Sequence, residues 1–179
     1  SQNDGTLMSA DYARRYPVAT FASGPTNSMR GAAFLSGLTD CAVVDVGGTT
    51  SDVGVLVSGF PREASSTFDI CGVRTNFRMP DLIALGLGGG SLVRDLDQLT
   101  VGPDSVGFKL PMRSLVFGGD TLTATDVAVA AGRTNIGDHG LVEHLDPAFV
   151  SKAMAVMQKS LVEAVDRLKI RPGAVPLVA

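Results

Sequence analysis

Apolar residues fall along this chain in two kinds of run, continuous and helically spaced. The continuous runs are "CAVVDV" at 41–46 and "DVGVLVS" at 52–58, each long enough for a strand and apolar enough to be covered on both faces. A third strand is expected over 62–70, giving an antiparallel meander whose connections leave no room for a crossover helix. Helical spacing is clearest at 146–170. There Phe149, Val150, Ala153, Met154, Met157, Leu161, Val165 and Leu168 recur every three or four residues and predict a core-facing stripe. Asp146 can cap that helix, and Pro147 suits its first position. Shorter helices are predicted at 9–17 from Ser9, at 27–38, and at 123–133, with Thr125 near the N-cap and Gly132 near the end. Residues 19–25 read as a short strand closed by a Gly-Pro turn, and 104–119 as irregular with short strands. The segment 74–88 fits neither period, and 174–179 reads as a final buried strand.

Composition narrows the class. The chain has 179 residues, 45% hydrophobic and 18% charged, enough for one globular domain with a core. Its net charge is −3 and no basic cluster stands out, which argues against nucleic acid and anionic membrane as partners. There is no leader and no apolar run of membrane-spanning length, so a soluble, cytoplasmic protein is expected. Cys41 and Cys71 lack metal-ligand spacing and read as reduced thiols. The first residue is not Met, and the closing apolar run has no cap or turn after it. Residues 1–179 are therefore expected to be a single domain taken from a longer protein.

Candidate chemistry concentrates between the two apolar strands, in "DVGGTTSD" at 45–52. Gly47 and Gly48 allow a tight turn whose N–H groups can converge on an anion. Thr49, Thr50 and Ser51 add hydroxyl donors, making a phosphate cradle without a positive side chain. Asp45 cannot itself bind phosphate. At the end of a buried strand it makes sense as a holder of hydrated Mg²⁺ or as a residue that orients water, and Asp52 can do the same from the next strand. The plain alternative is a hairpin with incidental polar residues, but such a hairpin needs neither the buried acid nor three hydroxyls in a row.

A second glycine cluster, "GLGGGS" at 86–91, reads either as another anion cradle or as a tight packing turn. Asp81 leads into it and is open to either a site role or a structural one. Asp126 is most simply an acid favoured by the start of its helix. His139 and His144, with Asp138 and Glu143 nearby, lack a third strong ligand and read as a solvated loop rather than a metal centre. Cys71 has no neighbour that would lower its pKa, which disfavours a nucleophile.

The strand, "DxGGT", strand arrangement resembles the phosphate hairpin of the actin-like ATPase superfamily. "SGPTNSMRGAAFLSGL", "VVDVGGTTSDVGVL", "MPDLIALGLGGGSLV", "VGPDSVG" and "TATDVAVAAGR" follow in that order. This order resembles the hydantoinase A / 5-oxoprolinase / acetone carboxylase β-subunit family over nearly the whole chain. Leu87, Asn27 and Ser28 stand where small residues are more usual in that family. The resemblance implies an α/β fold: an actin-like ATPase (ribonuclease H-like) domain with a mixed β-sheet, an antiparallel meander and flanking helices. It implies ATP and Mg²⁺ as cofactors. Asp45, Gly47, Gly48, Thr49, Thr50 and Ser51 would lie at the phosphates and metal, with Asp45 and Asp52 catalytic, and Gly88, Gly89, Gly90 and Ser91 would form a second cofactor loop. It further implies a cyclic amide substrate such as a hydantoin or 5-oxoproline, hydrolysed with ATP. A first nucleotide-clasping domain elsewhere in the same protein and a second subunit would be partners, and adenine contacts would lie outside this chain. By itself the chain would then be inactive. The rival readings are a nucleotide-driven switch or reactivation factor and a small-molecule kinase.

Overall fold

A computed structural model of the chain describes residues 1–64, 68–70, 72–76, 78–169 and 173–179. The chain forms two compact units. The first comprises Ser1–Asp45, Asp52–Ile83 and Val165–Ala179, and the second Val46–Ser51 and Ala84–Ala164.

The first unit opens on α1 (Ala10–Arg15), where Ser9 accepts a capping bond from Tyr12 N, as its sequence predicts. A 3-10 turn at Pro17–Thr20 leads into α2 (Ser23–Ser36). Residues 19–25 are thus not a strand. Ala22 takes a left-handed conformation and starts α2, and Pro25 sits in the first turn, where its missing N–H has no helical partner to lose. The sheet follows. It contains β1 (Cys41–Val46), β2 (Ser51–Val57) and β3 (Phe60–Pro61). A small hairpin of β4 (Phe68–Ile70) with β5 (Val73–Thr75) comes next, then β6 (Leu82–Leu85).

The sheet order is β3-β2-β1-β9, with β6 also on β2, where β9 is Leu177–Val178. β2 and β3 are antiparallel. β1 and β2 are neighbours joined only by residues 47–50, so they too run antiparallel. β1 and β9 are parallel, pairing Ala42 with Leu177 and Val43 with Val178. The sheet is therefore mixed, and the expected meander exists. Its third strand lies at Phe60–Pro61 and not over 62–70, where Phe68–Ile70 belong instead to the separate β4–β5 hairpin and 65–67 lie outside the described residues. Met29 of α2 packs with Cys41, Val43 and Leu56 as this unit's core.

In the second unit, β7 (Ser91–Asp95) and β8 (Leu99–Ser105) form an antiparallel hairpin. The stretch expected to be irregular holds a 3-10 turn at Gly107–Lys109, α3 (Leu110–Arg113) and another 3-10 turn at Leu115–Phe117. α4 spans Ala124–Ala130, and a 3-10 turn at His139–Leu141 precedes α5 (Pro147–Leu168). Asp146 accepts from the N–H groups of Ala148 and Phe149 at the start of α5. The apolar stripe of α5 faces inward as predicted: Val150 and Ala153 pack with Val93 and Val127, and Met154 and Met157 flank them.

Candidate functional site

The turn between β1 and β2 is pinned by one internal bond, Gly47 N–H to Thr50 O at 2.8 Å. Two further bonds come from the second glycine cluster. Gly89 N–H donates to Gly47 O at 3.0 Å and Gly90 N–H to Gly48 O at 2.6 Å. The two glycine-rich motifs therefore meet. The contact is so close that a Cβ on Gly88 would lie 2.6 Å from both Gly47 O and Thr49 N, which is why that position has no side chain.

The hydrogen bonds separate the two motifs by role. In the 88–91 loop every N–H is already engaged within the protein. Gly88 N–H donates to Ser91 Oγ, Ser91 N–H to Gly88 O, and Gly89 and Gly90 to the turn. This loop is a buttress, with no backbone donor left for a ligand. Thr125 clamps it from α4, donating to Gly89 O from both its N–H and its hydroxyl at 2.9 Å. In the 47–50 turn the opposite holds. Among the described residues, the N–H groups of Gly48, Thr49 and Thr50 and the hydroxyls of both threonines have no hydrogen-bond partner, and all three residues are exposed. Three successive free N–H groups with two hydroxyls beside them are donors of the kind that phosphate oxygens accept from. Ser51 does not join it, because its side chain is fully buried and donates to Leu87 O at 2.5 Å. Ser91 is likewise fully buried.

A family model described as hydantoinase/oxoprolinase matches residues 1–169. The chain belongs to the hydantoinase/oxoprolinase family. It is 32% identical over 133 residues to the acetophenone carboxylase gamma subunit of Aromatoleum aromaticum, covering 71% of this chain and 18% of that subunit. It is 29% identical over 123 residues to the acetone carboxylase beta subunit of Xanthobacter autotrophicus, covering 65% of this chain and 17% of that subunit. The chain thus spans less than a fifth of the length of these curated relatives. Among solved structures, it superposes on an ATP-dependent caprolactamase from Pseudomonas jessenii with a TM-score of 0.66 at 24% identity, covering 88% of this chain and 26% of the other. Nucleotide-free acetone carboxylase gives a TM-score of 0.52 at 21% identity, covering 93% and 24%. The shared fold is the expected α/β one, with a mixed sheet and flanking helices.

In this hydantoinase/oxoprolinase-family chain, Asp45 and Asp52 belong to the first unit. Counting back from the pair Gly47 and Thr50 sets Asp45 opposite Asp52 across the hairpin, where cross-strand side chains are neighbours. Both are partly exposed. Burial first, and the Asp45 charge second, push the Asp52 carboxyl above its ordinary value. Two facing carboxylates repel unless a proton or a cation lies with them. Among the described residues, no three His, Cys, Asp or Glu side chains converge as a ligand set. Two carboxylates completed by water and phosphate oxygens fit Mg²⁺ better than a site that needs a full protein ligand cage.

The remaining candidates have local roles. Asp81 accepts from Arg62 Nε at 3.0 Å and Nη2 at 2.7 Å, and Arg62 also donates to Leu168 O. Asp81 is thus tied to a structural arginine. Asp126, fully buried, is the N3 acid of a capping box with Thr123, which is the N-cap in place of Thr125. His139 and His144 are exposed, and His139 Nδ1 lies 3.4 Å from Glu143. Cys71 lies outside the described residues, and Cys41 is buried in the first unit's core, which pushes its thiol up. Sequence reasoning placed "VGPDSVG" in the family's motif order but gave it no role at the turn. Val106 N–H donates to Gly90 O at 2.9 Å, and Ser105 Oγ lies 3.5 Å from Gly48 O. Its place beside the turn emerges only from the fold. Among the described residues, no helix is long and apolar enough to cross a membrane.

Proposed function

We propose that this chain is the phosphate-holding part of an ATP-dependent enzyme that opens cyclic amides by hydrolysis, with hydantoins and 5-oxoproline as its substrate class. The observation that carries the reading is the set of three unpartnered N–H groups at Gly48, Thr49 and Thr50, on a chain of the hydantoinase/oxoprolinase family. Those donors would take phosphate oxygens, with the hydroxyls of Thr49 and Thr50 adding two more. Asp45 and Asp52 would share a hydrated Mg²⁺, which would relieve their repulsion, and Asp45 would orient the water around it. Gly88, Gly89, Gly90 and Ser91 would act on the nucleotide only indirectly, by fixing the turn. Bound ATP would supply a phosphoryl group to the amide carbonyl oxygen, which would open the carbonyl carbon to water. The ring C–N bond would then break, the nitrogen leaving with a proton, and a second water would release the phosphate. The rest of the longer protein and a second subunit would complete the site, in the cytoplasm. A second reading, ATP-dependent carboxylation of a ketone, is favoured by the 32% identity to an acetophenone carboxylase subunit.

The test is calorimetric titration of Mg-ATP into the full-length protein beside Asp45→Ala. The expected result is saturable binding to the parent and binding at least about tenfold weaker in the variant, the scale of one lost charged interaction. Heat-silent titration of the parent would overturn the nucleotide reading.

A further inference from the structure

The cradle at the 47–50 turn contains no cation of its own, yet a polyphosphate brings several negative charges. The second unit has six described lysines and arginines: Arg94, Lys109, Arg113, Arg133, Lys152 and Lys159. Three of them are neutralised by carboxylates: Arg94 by Asp104 at 2.6 Å, Arg113 by Asp120 at 2.9 Å and Lys159 by Glu163 at 3.8 Å. Lys109, Arg133 and Lys152 have no carboxylate partner among the described residues. Lys109 follows the segment that docks on the turn, and Arg133 lines a cavity whose walls include Val46 and Ser51, the residues on either side of it.

Lys109 belongs to the segment that docks on it. A Cβ placed on Gly107 would lie 3.9 Å from Thr49 Oγ1, and Gly107 N–H is held by Ser105 Oγ at 3.0 Å. Lys109 N–H then donates to Val106 O at 3.1 Å, closing one 3-10 turn over Gly107. At about 2 Å rise per residue, Lys109 lies about 4 Å further along the axis than Gly107. Its flexible stem is exposed, and Phe108 beside it is 86% exposed. Arg133 approaches from another side. It lines a cavity of about 550 Å³ together with Ser51, Gly88 and Gly89, and it is the only charged residue among that cavity's walls. Its remaining walls are largely apolar, including Leu87, Met154 and Met157, and Arg133 also borders a second cavity lined by His139 and Glu143.

An unpaired cation on a surface is ordinary. Two of them near one turn that also presents three free N–H groups are not accounted for by ion pairing, and the Lys109 ammonium rests against the exposed ring of Phe108, 5.9 Å from its centroid. We propose that Lys109 and Arg133 are binding residues that hold the charge of a polyphosphate at the 47–50 turn, Lys109 from the segment behind β8 and Arg133 from the cavity wall. The proposal rests on the reading of the turn as a phosphate cradle. It adds the source of positive charge that the turn lacks.

The test uses the full-length protein, with inorganic pyrophosphate as the first probe and Mg-ATP as the second, titrated calorimetrically at low and high salt. The variants are Lys109→Met, Arg133→Gln and, as a control, Lys152→Met, which removes one unpaired charge from α5 at 151–153 rather than from the turn. Pyrophosphate binding is expected to weaken about tenfold in each of the first two, the scale of one lost charged contact. It is expected to stay within about twofold in Lys152→Met and to recover in Lys109→Arg. The thermal midpoint without ligand should not move, which separates charge from folding. The proposal is overturned if Lys109→Met and Arg133→Gln titrate like Lys152→Met, or if the parent takes up no pyrophosphate. Binding of pyrophosphate with this pattern but no binding of Mg-ATP would support the cations and remove the nucleotide reading instead.

Discussion

Gly88 and Gly48 are both glycines of the paired motifs, and the structure gives them different reasons for being so. A Cβ on Gly88 would meet Gly47 O and Thr49 N at 2.6 Å and Gly48 C at 2.7 Å. These are backbone atoms of the turn itself, and they cannot yield as the end of a side chain can. A Cβ on Gly48 would meet nothing within 4 Å, and its φ is not left-handed. Gly88→Ala should therefore cost about 1–3 kcal/mol, as overpacking does. Gly48→Ala should stay within about 0.5 kcal/mol, as an unstrained surface change does. Urea denaturation of the two variants measures the difference. Equal losses would mean that the 88–91 loop does not brace the turn. Sequence alone placed both glycines in one cofactor set because both lie in clusters. Only the bonding pattern shows that one set has free donors and the other has none.

At the scale of elements, the most tightly determined join is between α4 and the segment before it. Asp126 is fully buried and accepts four bonds: from Ser114 Oγ at 2.6 Å, Val116 N–H at 2.8 Å, Thr123 N–H at 2.7 Å and Thr123 Oγ1 at 2.8 Å. Asp126→Ala would leave those donors buried without acceptors, at about 1–3 kcal/mol for each that water cannot reach. We expect a loss above about 3 kcal/mol, read as a fall in the denaturation midpoint. A loss near that of an ordinary helix cap, about 1 kcal/mol, would show that the network relaxes. This join also marks the limit of what the sequence showed. "TATD" is a legible capping signal, and the acid at its fourth position was read as a response to the helix dipole. Its reach to Ser114 and Val116 depends on the 3-10 turn at Leu115–Phe117, which has no period to detect. β1, β2 and α5 were legible because their apolar patterns are long and unambiguous. The start of α2 was not, because "SGP" carries turn residues that also suit the first turn of a helix. Asp52 facing Asp45 was half legible: the acids were visible, but their opposition requires the register of the turn.

At the scale of the whole protein, the relatives divide between two chemistries that the proposed phosphate cradle alone does not separate. Curated relatives at 32% and 29% identity are carboxylase subunits, while the solved structure with a TM-score of 0.66 is a caprolactamase. In either chemistry ATP would transfer a phosphoryl group to an oxygen of a reactant, so the same donors at Gly48, Thr49 and Thr50 would serve both. What differs is the second reactant, water in one case and a one-carbon acid in the other. With the full-length protein and its partner subunits, phosphate release from ATP should rise on adding a cyclic amide. It should be indifferent to bicarbonate, and the product should gain the mass of one water. Release that requires both a ketone and bicarbonate, with labelled carbon from bicarbonate entering the product, would replace hydrolysis by carboxylation. The cradle would stand in both cases, and removing the acid that would hold Mg²⁺ beside it, by Asp45→Ala, should depress either reaction. If that variant left turnover unchanged, no metal held by Asp45 would serve the reacting phosphate, whichever product was formed.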